Sequence, residues 1–139
     1  MMQETKHWTI EEVFELPEGD LRFYGTLGIA DILEEEDAVC TYLPVTREVS
    51  NSRLTVQGGA LYALCDIGCA AFVRIKHGKG VTLNGTIHYY EPARPGDLLC
   101  CRASGRRTGK TIASVFCEVR DQSGKLIADS LQSIYRLHE

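Results

Sequence analysis

From Gly58 to Val73 nearly every side chain is apolar or small, and Asp66 is the one charge in the run. A stretch like this leaves few folds open to the chain. It lacks the alternation of a half-buried strand and is rich in Ala and Leu, which favour helix. The pattern predicts a helix of about four turns. Apolar on every side, such a helix must be wrapped by other structure. Asp66 and Gly68 interrupt it too early for it to span a bilayer. Gln57-Gly58-Gly59 opens the run, and glycine there permits close approach to the backbone.

A carboxylate inside such a helix costs several kcal/mol unless it is paired or neutralised, about the penalty of any buried charge. Two explanations stand side by side. Asp66 could pair with an arginine on a neighbouring strand. Alternatively it is a catalytic carboxylate in an apolar cleft, where desolvation raises basicity. The helix start favours the second reading, because unpaired backbone N–H groups there stabilise negative charge, including an oxyanion that forms during reaction.

Charge and composition remove other classes. The net charge of -4 gives no electrostatic footprint for nucleic acid. An apolar fraction of 44% and a charged fraction of 24% suit an ordinary soluble protein, and 139 residues suit one domain, 1–139. Met1 to Trp8 shows no apolar segment of the secretory kind, so a cytoplasmic location is expected. None of the six cysteines (40, 65, 69, 100, 101 and 117) lies in a C-x-x-C. All sit among apolar residues and read as reduced, buried thiols, and no metal site is expected.

The remaining elements follow from pattern. Residues 1–25 read as an N-terminal helix and loop, with Thr9 and Glu12 as a capping box and Pro17 and Gly19 as the stop. Leu27–Glu34 and Ala38–Val45 read as strands, joined by a solvated acidic turn, Glu34 to Asp37. After the central helix come strands at 81–90, 97–106, 111–120 and 126–136. On the third of these six strands, Thr82, Asn84 and His88 are expected to share a face, because side chains repeat every two residues. Two strands, one long helix and four more strands describe an α+β domain.

The residues Asn51, Gln57-Gly58-Gly59 and Asp66 resemble the signature of hotdog-fold acyl-CoA thioesterases of the PaaI-like branch. Leu54 stands where that branch carries a glycine, which suggests a different loop conformation before the helix. Gln57 stands where it carries a histidine. The resemblance extends from Leu27 to the C-terminus, and the Tyr89 to Asp97 stretch is similar to the family's turn between two strands. It implies the hotdog fold, an antiparallel sheet around the central helix, and a homodimer or homotetramer with active sites between subunits. It also implies hydrolysis of an aryl- or short/medium-chain acyl-CoA, with coenzyme A entering only as part of the substrate, no other cofactor, and no nucleic-acid or membrane partner.

By the same resemblance, the Gly58 N–H is the oxyanion donor, and Asp66 is either general base or nucleophile. Gln57 donates to the thioester, Asn51 orients the entry loop or the water, and Thr82 positions the water beside the acid. Arg106, Arg107 and Lys110, with Arg94, are candidates for the CoA phosphates, and a solvated surface turn is the equal alternative. A non-catalytic acyl-CoA-binding protein and a hotdog enoyl-CoA hydratase or dehydratase remain the competing functions.

Overall fold

The computed structural model describes residues 5–138. Its strands are β1 (Lys6–Trp8), β2 (Asp31–Glu34), β3 (Val39–Pro44), β4 (Gly80–Tyr89), β5 (Leu98–Thr108), β6 (Ile112–Arg120) and β7 (Leu126–Arg136). Its α-helices are α1 (Ile10–Phe14), α2 (Arg22–Leu27) and α3 (Gly58–Lys76). The strands form one antiparallel sheet in the order β1-β2-β3-β5-β6-β7-β4. This is the hotdog architecture, with α3 as the filling.

The helix continues nearly one turn past the apolar run, to Lys76. Leu61, Leu64, Cys65, Ile67, Cys69 and Ala71 to Val73 are buried against the inner face of the sheet. That face alternates as a half-buried sheet must, with Leu99, Cys101 and Ala103 on β5 and Ala113, Val115, Cys117 and Val119 on β6. Gly68 lets helix and sheet meet closely: a Cβ there would lie 2.6 Å from Cys101 Sγ.

Several boundaries differ from the sequence reading. The capping box at Thr9 and Glu12 is present, but α1 stops at Phe14, where Glu15 turns left-handed with φ 54°. A second short helix, α2, follows. Gly28 ends α2 at φ 100°, so β2 begins only at Asp31 rather than at Leu27. The seventh strand, β1, carries no alternation and exists because β2 offers it an edge. Residues 1–4 of the expected N-terminal segment lie outside the described residues.

The acidic turn is not merely solvated. Lys76 Nζ donates to Glu34 Oε2 at 2.9 Å and to the carbonyls of Glu35 and Glu36 at 2.7 and 3.0 Å. The last turn of α3 is thereby tied to the β2–β3 connection.

A bulge breaks the register of β4 between Thr82 and Asn84. Thr82, Gly85, Ile87 and Tyr89 pair with Ile134, Gln132, Ser130 and Ala128, whose side chains are buried. These four therefore face the helix, while Asn84, Thr86 and His88 face outward. The expectation that Asn84 and His88 share a face with Thr82 is wrong, because the extra residue, Leu83, shifts the alternation by one.

β4 is the last strand of the sheet, and ten residues long. Val81, Leu83 and Tyr89 on it are each more than half exposed. An apolar edge of that length is a template for pairing with another chain.

Candidate active site

The loop that delivers the chain to α3 is built by Asn51. Its Oδ1 accepts from the backbone N–H of Arg53 and Thr55 at 2.9 and 3.2 Å, and its Nδ2 donates to Thr55 Oγ1 at 2.9 Å. The Leu54 N–H donates to the Asn51 carbonyl, closing a turn in which Leu54 itself adopts φ 57°. The loop therefore holds at Leu54 the left-handed backbone that glycine adopts most easily. Asn51 is committed to this loop, which favours its loop-orienting role over a role in holding water.

Val56 N–H then donates to the Ala93 carbonyl, and Gln57 N–H to the Val49 carbonyl, both at 2.8 Å. Gln57 caps α3 with extended backbone (φ -64°, ψ 138°) and no side-chain capping bond. Its exposed amide is left for other work. The Gln57 carbonyl takes the N–H groups of Ala60 and Leu61. The N–H groups of Gly58 and Gly59 have no acceptor among the described residues, as the geometry of a helix start dictates.

Tyr89 holds this start from the side. Its hydroxyl donates to the Gly58 carbonyl at 2.9 Å, and a Cβ on Gly58 would lie 3.2 Å from that oxygen. Burial against the helix raises the Tyr89 phenol pKa above its ordinary value, so the proton stays on the oxygen that donates. Cavities flank the helix start on two sides. One of about 350 Å³ is bounded by Phe23, Leu27, Val49, Gln57, Gly59 and Ala60. The other, about 300 Å³, lies between Val56, Gly58, Leu61, Tyr89, Tyr90 and Pro92.

Asp66 occupies a different place. It is half-buried on the helix face that meets β4, and Thr82 Oγ1 donates to its Oδ1 at 2.7 Å. Among the described residues no arginine or lysine forms an ion pair with it. The structural explanation for the carboxylate, a partner arginine on a neighbouring strand, is therefore absent. Asp66 and Thr82 come together as the sequence suggests.

Asp66 and Gly58 do not. Eight residues of helix put roughly 12 Å of rise between them, whereas reacting groups must converge to about 3–3.5 Å. Within one chain, Asp66 and the Gly58 N–H are therefore too far apart to act on one carbonyl group.

Other candidates fall away from both places. His88 faces outward beside Asp129, with Nδ1 at 3.5 Å from Oδ1, and Tyr90 Oη donates to the other carboxylate oxygen at 3.0 Å. The Arg106–Lys110 hairpin sits at the C-terminal end of α3. There Thr108 Oγ1 lies 3.4 Å from His77 Nε2, and Arg136 Nη1 donates to the Gly109 carbonyl. That end is about 28 Å of helix rise from Gly58, so these cations do not belong to the same chain's helix start. Arg106 stacks its guanidinium on Phe116, 4.4 Å from the ring centroid. Arg94 alone of the basic candidates adjoins the entry loop, next to Ala93. The residue that pattern reading missed is Tyr89, which stands in the Tyr89 to Asp97 stretch but gains its contact with Gly58 only through the sheet.

A family model described as the thioesterase superfamily matches residues 55–128. The chain is 28% identical over 102 residues to the acyl-coenzyme A thioesterase PaaI of Escherichia coli strain K12, covering 73% of each protein. The solved structure of the E. coli PaaI protein from the phenylacetic acid degradation operon superimposes with TM-score 0.78 at 25% identity, covering 84% of both chains. A point mutant of the phenylacetic acid degradation protein PaaI from Thermus thermophilus gives a TM-score of 0.76 at 27% identity, covering 83% of this chain and 98% of that one.

Proposed function

This chain belongs to the thioesterase superfamily, and from that premise we propose that it hydrolyses the thioester of an acyl-CoA to the free acid and CoA. The observation that carries the reading is Asp66: a half-buried carboxylate with no cationic partner among the described residues, oriented by the Thr82 hydroxyl. The relation to E. coli PaaI, itself an acyl-coenzyme A thioesterase, supports the substrate class.

The reaction is completed between two copies of the chain. The long apolar edge of β4 supports pairing with a second copy, and Thr82 lies on that edge. Asp66 of one copy then serves the helix start of the other, which answers the separation of about 12 Å within one chain. The thioester carbonyl oxygen sits against the Gly58 N–H, with Gln57 donating from its exposed amide. Water attacks the carbonyl carbon, and Asp66 takes its proton as general base. The tetrahedral oxyanion is held by the backbone donors, a contribution of about 10²–10³ in rate for a single donor. Collapse expels the CoA sulfur, which leaves as the thiol with the proton that Asp66 returns.

Direct attack by Asp66 on the thioester is the competing chemistry. It passes through an anhydride that water must cleave. The Thr82 bond favours the general base, because it fixes one carboxylate oxygen and leaves the other directed at water. The cavities beside the helix start suit an aryl or short to medium acyl chain. Coenzyme A is needed only as part of the substrate. Pairing of two such dimers into a tetramer is consistent with the exposed apolar side chains of Leu131 and Tyr135 on the outer face. Six free thiols suit a cytoplasmic protein.

The test is thiol release from a panel of acyl-CoAs, scored for the wild type and Asp66→Asn. Release by the wild type and its loss in the variant support the reading. Tight acyl-CoA binding with no release by either protein replaces it with the non-catalytic one. Water addition to an enoyl-CoA replaces it with a hydratase.

A further inference from the structure

On the closed face of α3, away from Asp66, four cysteines converge. Cys65 and Cys69 project from one face of the helix, one turn apart, Cys101 from β5 and Cys117 from β6. All four are completely buried. The sulfurs of Cys65, Cys101 and Cys117 all lie within 4.8 Å of one another. An ion with metal–sulfur bonds of about 2.3 Å holds its sulfurs about 3.8–4 Å apart. The trio therefore needs a contraction of less than about 1 Å to become a coordination site. Sequence spacing hid this arrangement, because its ligands come from three separate elements and form no C-x-x-C.

The surroundings add to this. Cys117 pairs across β6 and β7 with Ser130, whose side chain is also buried. Next to the cluster, Thr41 is completely buried, and its Oγ1 has no hydrogen-bond partner among the described residues. Thr41 pairs directly with Cys101 across β3 and β5. A Cβ built on Gly68 would meet Cys101 Sγ at 2.6 Å and Thr41 Oγ1 at 3.8 Å, so both atoms face the same notch. A packed core leaves few hydroxyls orphaned. A thiolate–metal centre supplies the acceptor that this one lacks.

We propose that Cys65, Cys101 and Cys117 form a binding site for one thiophilic d10 cation of the zinc class. Loading by the trio releases three protons: a divalent ion and three thiols give a tris-thiolate centre with one net negative charge. The Thr41 hydroxyl is a donor that offsets part of that charge in the dry interior. The site takes ligands from the helix and from two central strands, so an ion in it cross-links the core. It is independent of the thioester chemistry and does not depend on the proposed activity.

The probe is Cd²⁺ alone, added to native protein carrying Cys40→Ser and Cys100→Ser to remove the two thiols outside the cluster. The expected result is a sulfur-to-metal charge-transfer absorbance saturating at one Cd²⁺ per chain, with about three protons released per ion, as the tris-thiolate stoichiometry requires. The melting temperature should rise. In the same background Cys117→Ser should bind Cd²⁺ about tenfold more weakly or worse, the loss expected when a ligand or its support is removed. Should that variant fail to fold, Thr41→Val tests the same centre by loss of the donor alone, and weaker Cd²⁺ binding is again expected. Absorbance that develops only after denaturant is added overturns the proposal, as does absorbance of full strength in Cys117→Ser.

Discussion

Cys65 and Asp66 are neighbours in sequence and opposites in environment. A helix turns about 100° per residue, and that single step separates two faces of α3. The Cys65 face is fully buried against β5 and β6. The Asp66 face is half open and meets β4, the strand that ends the sheet. On the closed face glycine serves packing, since Gly68 admits Cys101. On the open face and at the helix start, side-chain hydrogen bonds hold groups in place instead. Thr82 holds Asp66, and Tyr89 holds Gly58. The difference teaches that one helix presents both a sealed core face and a half-open face by rotation alone, and that the carboxylate stands on the face its own sheet leaves uncovered.

The sharpest way to break this comparison is Asp66→Asn. It should lower turnover by about 10²–10⁴, the usual worth of a general base, with no loss of melting temperature. Full activity in thiol release would remove Asp66 from the mechanism. Gly58→Ala comes next. Its Cβ would crowd the Tyr89 hydroxyl, displacing the first helical N–H, and a misplacement of that kind costs up to about 10² in rate. Tyr89→Phe combined with Gly58→Ala should recover part of the loss by making room. If it recovers none, Tyr89 does not set the position of the helix start.

Gln57→Ala should cost less, roughly tenfold, because the backbone donor remains after one side-chain hydrogen bond is lost. A variant as inactive as Asp66→Asn would reverse the ranking of the two. On the closed face, Gly68→Ala should destabilise by about 1–3 kcal/mol through overpacking against Cys101, read as a lower denaturant midpoint. A neutral outcome would mean that the two faces are not packed differently. The smallest effect belongs to Leu54→Gly. Relief of its left-handed backbone should stabilise by roughly 1 kcal/mol, in the same denaturant titration, since Leu54 is 41% exposed and loses little packing.

Much of this architecture is legible in the amino-acid order. The continuous apolar run could only be a wrapped helix, and its charged interruption could only be costly or useful. The turn residues placed the last four strands to within a few positions, because Gly, Pro and Asp act through local geometry. Local signals do not report what an edge will recruit, so β1 was missed. They also cannot register an inserted residue in a strand, so the bulge at Leu83 moved Asn84 and His88 off the face assigned to them. The Lys76 contacts with the acidic turn, 40 or more residues away in sequence, had no local trace at all.

The sequence by itself determined the central helix, the α+β class, the pairing of a glycine-led helix start with an acid further along, and the family resemblance. Those follow from periodicity and from the cost of burying a charge, which depend on neighbours a few residues apart. Only the tertiary structure decided that Asp66 answers to Thr82 and not to an arginine, that Tyr89 braces Gly58, and that three cysteines from three elements meet in one place. Each of these joins separate elements across 16 or more positions of chain. Their geometry is set by strand register and helix rotation, which no local stretch of chain encodes.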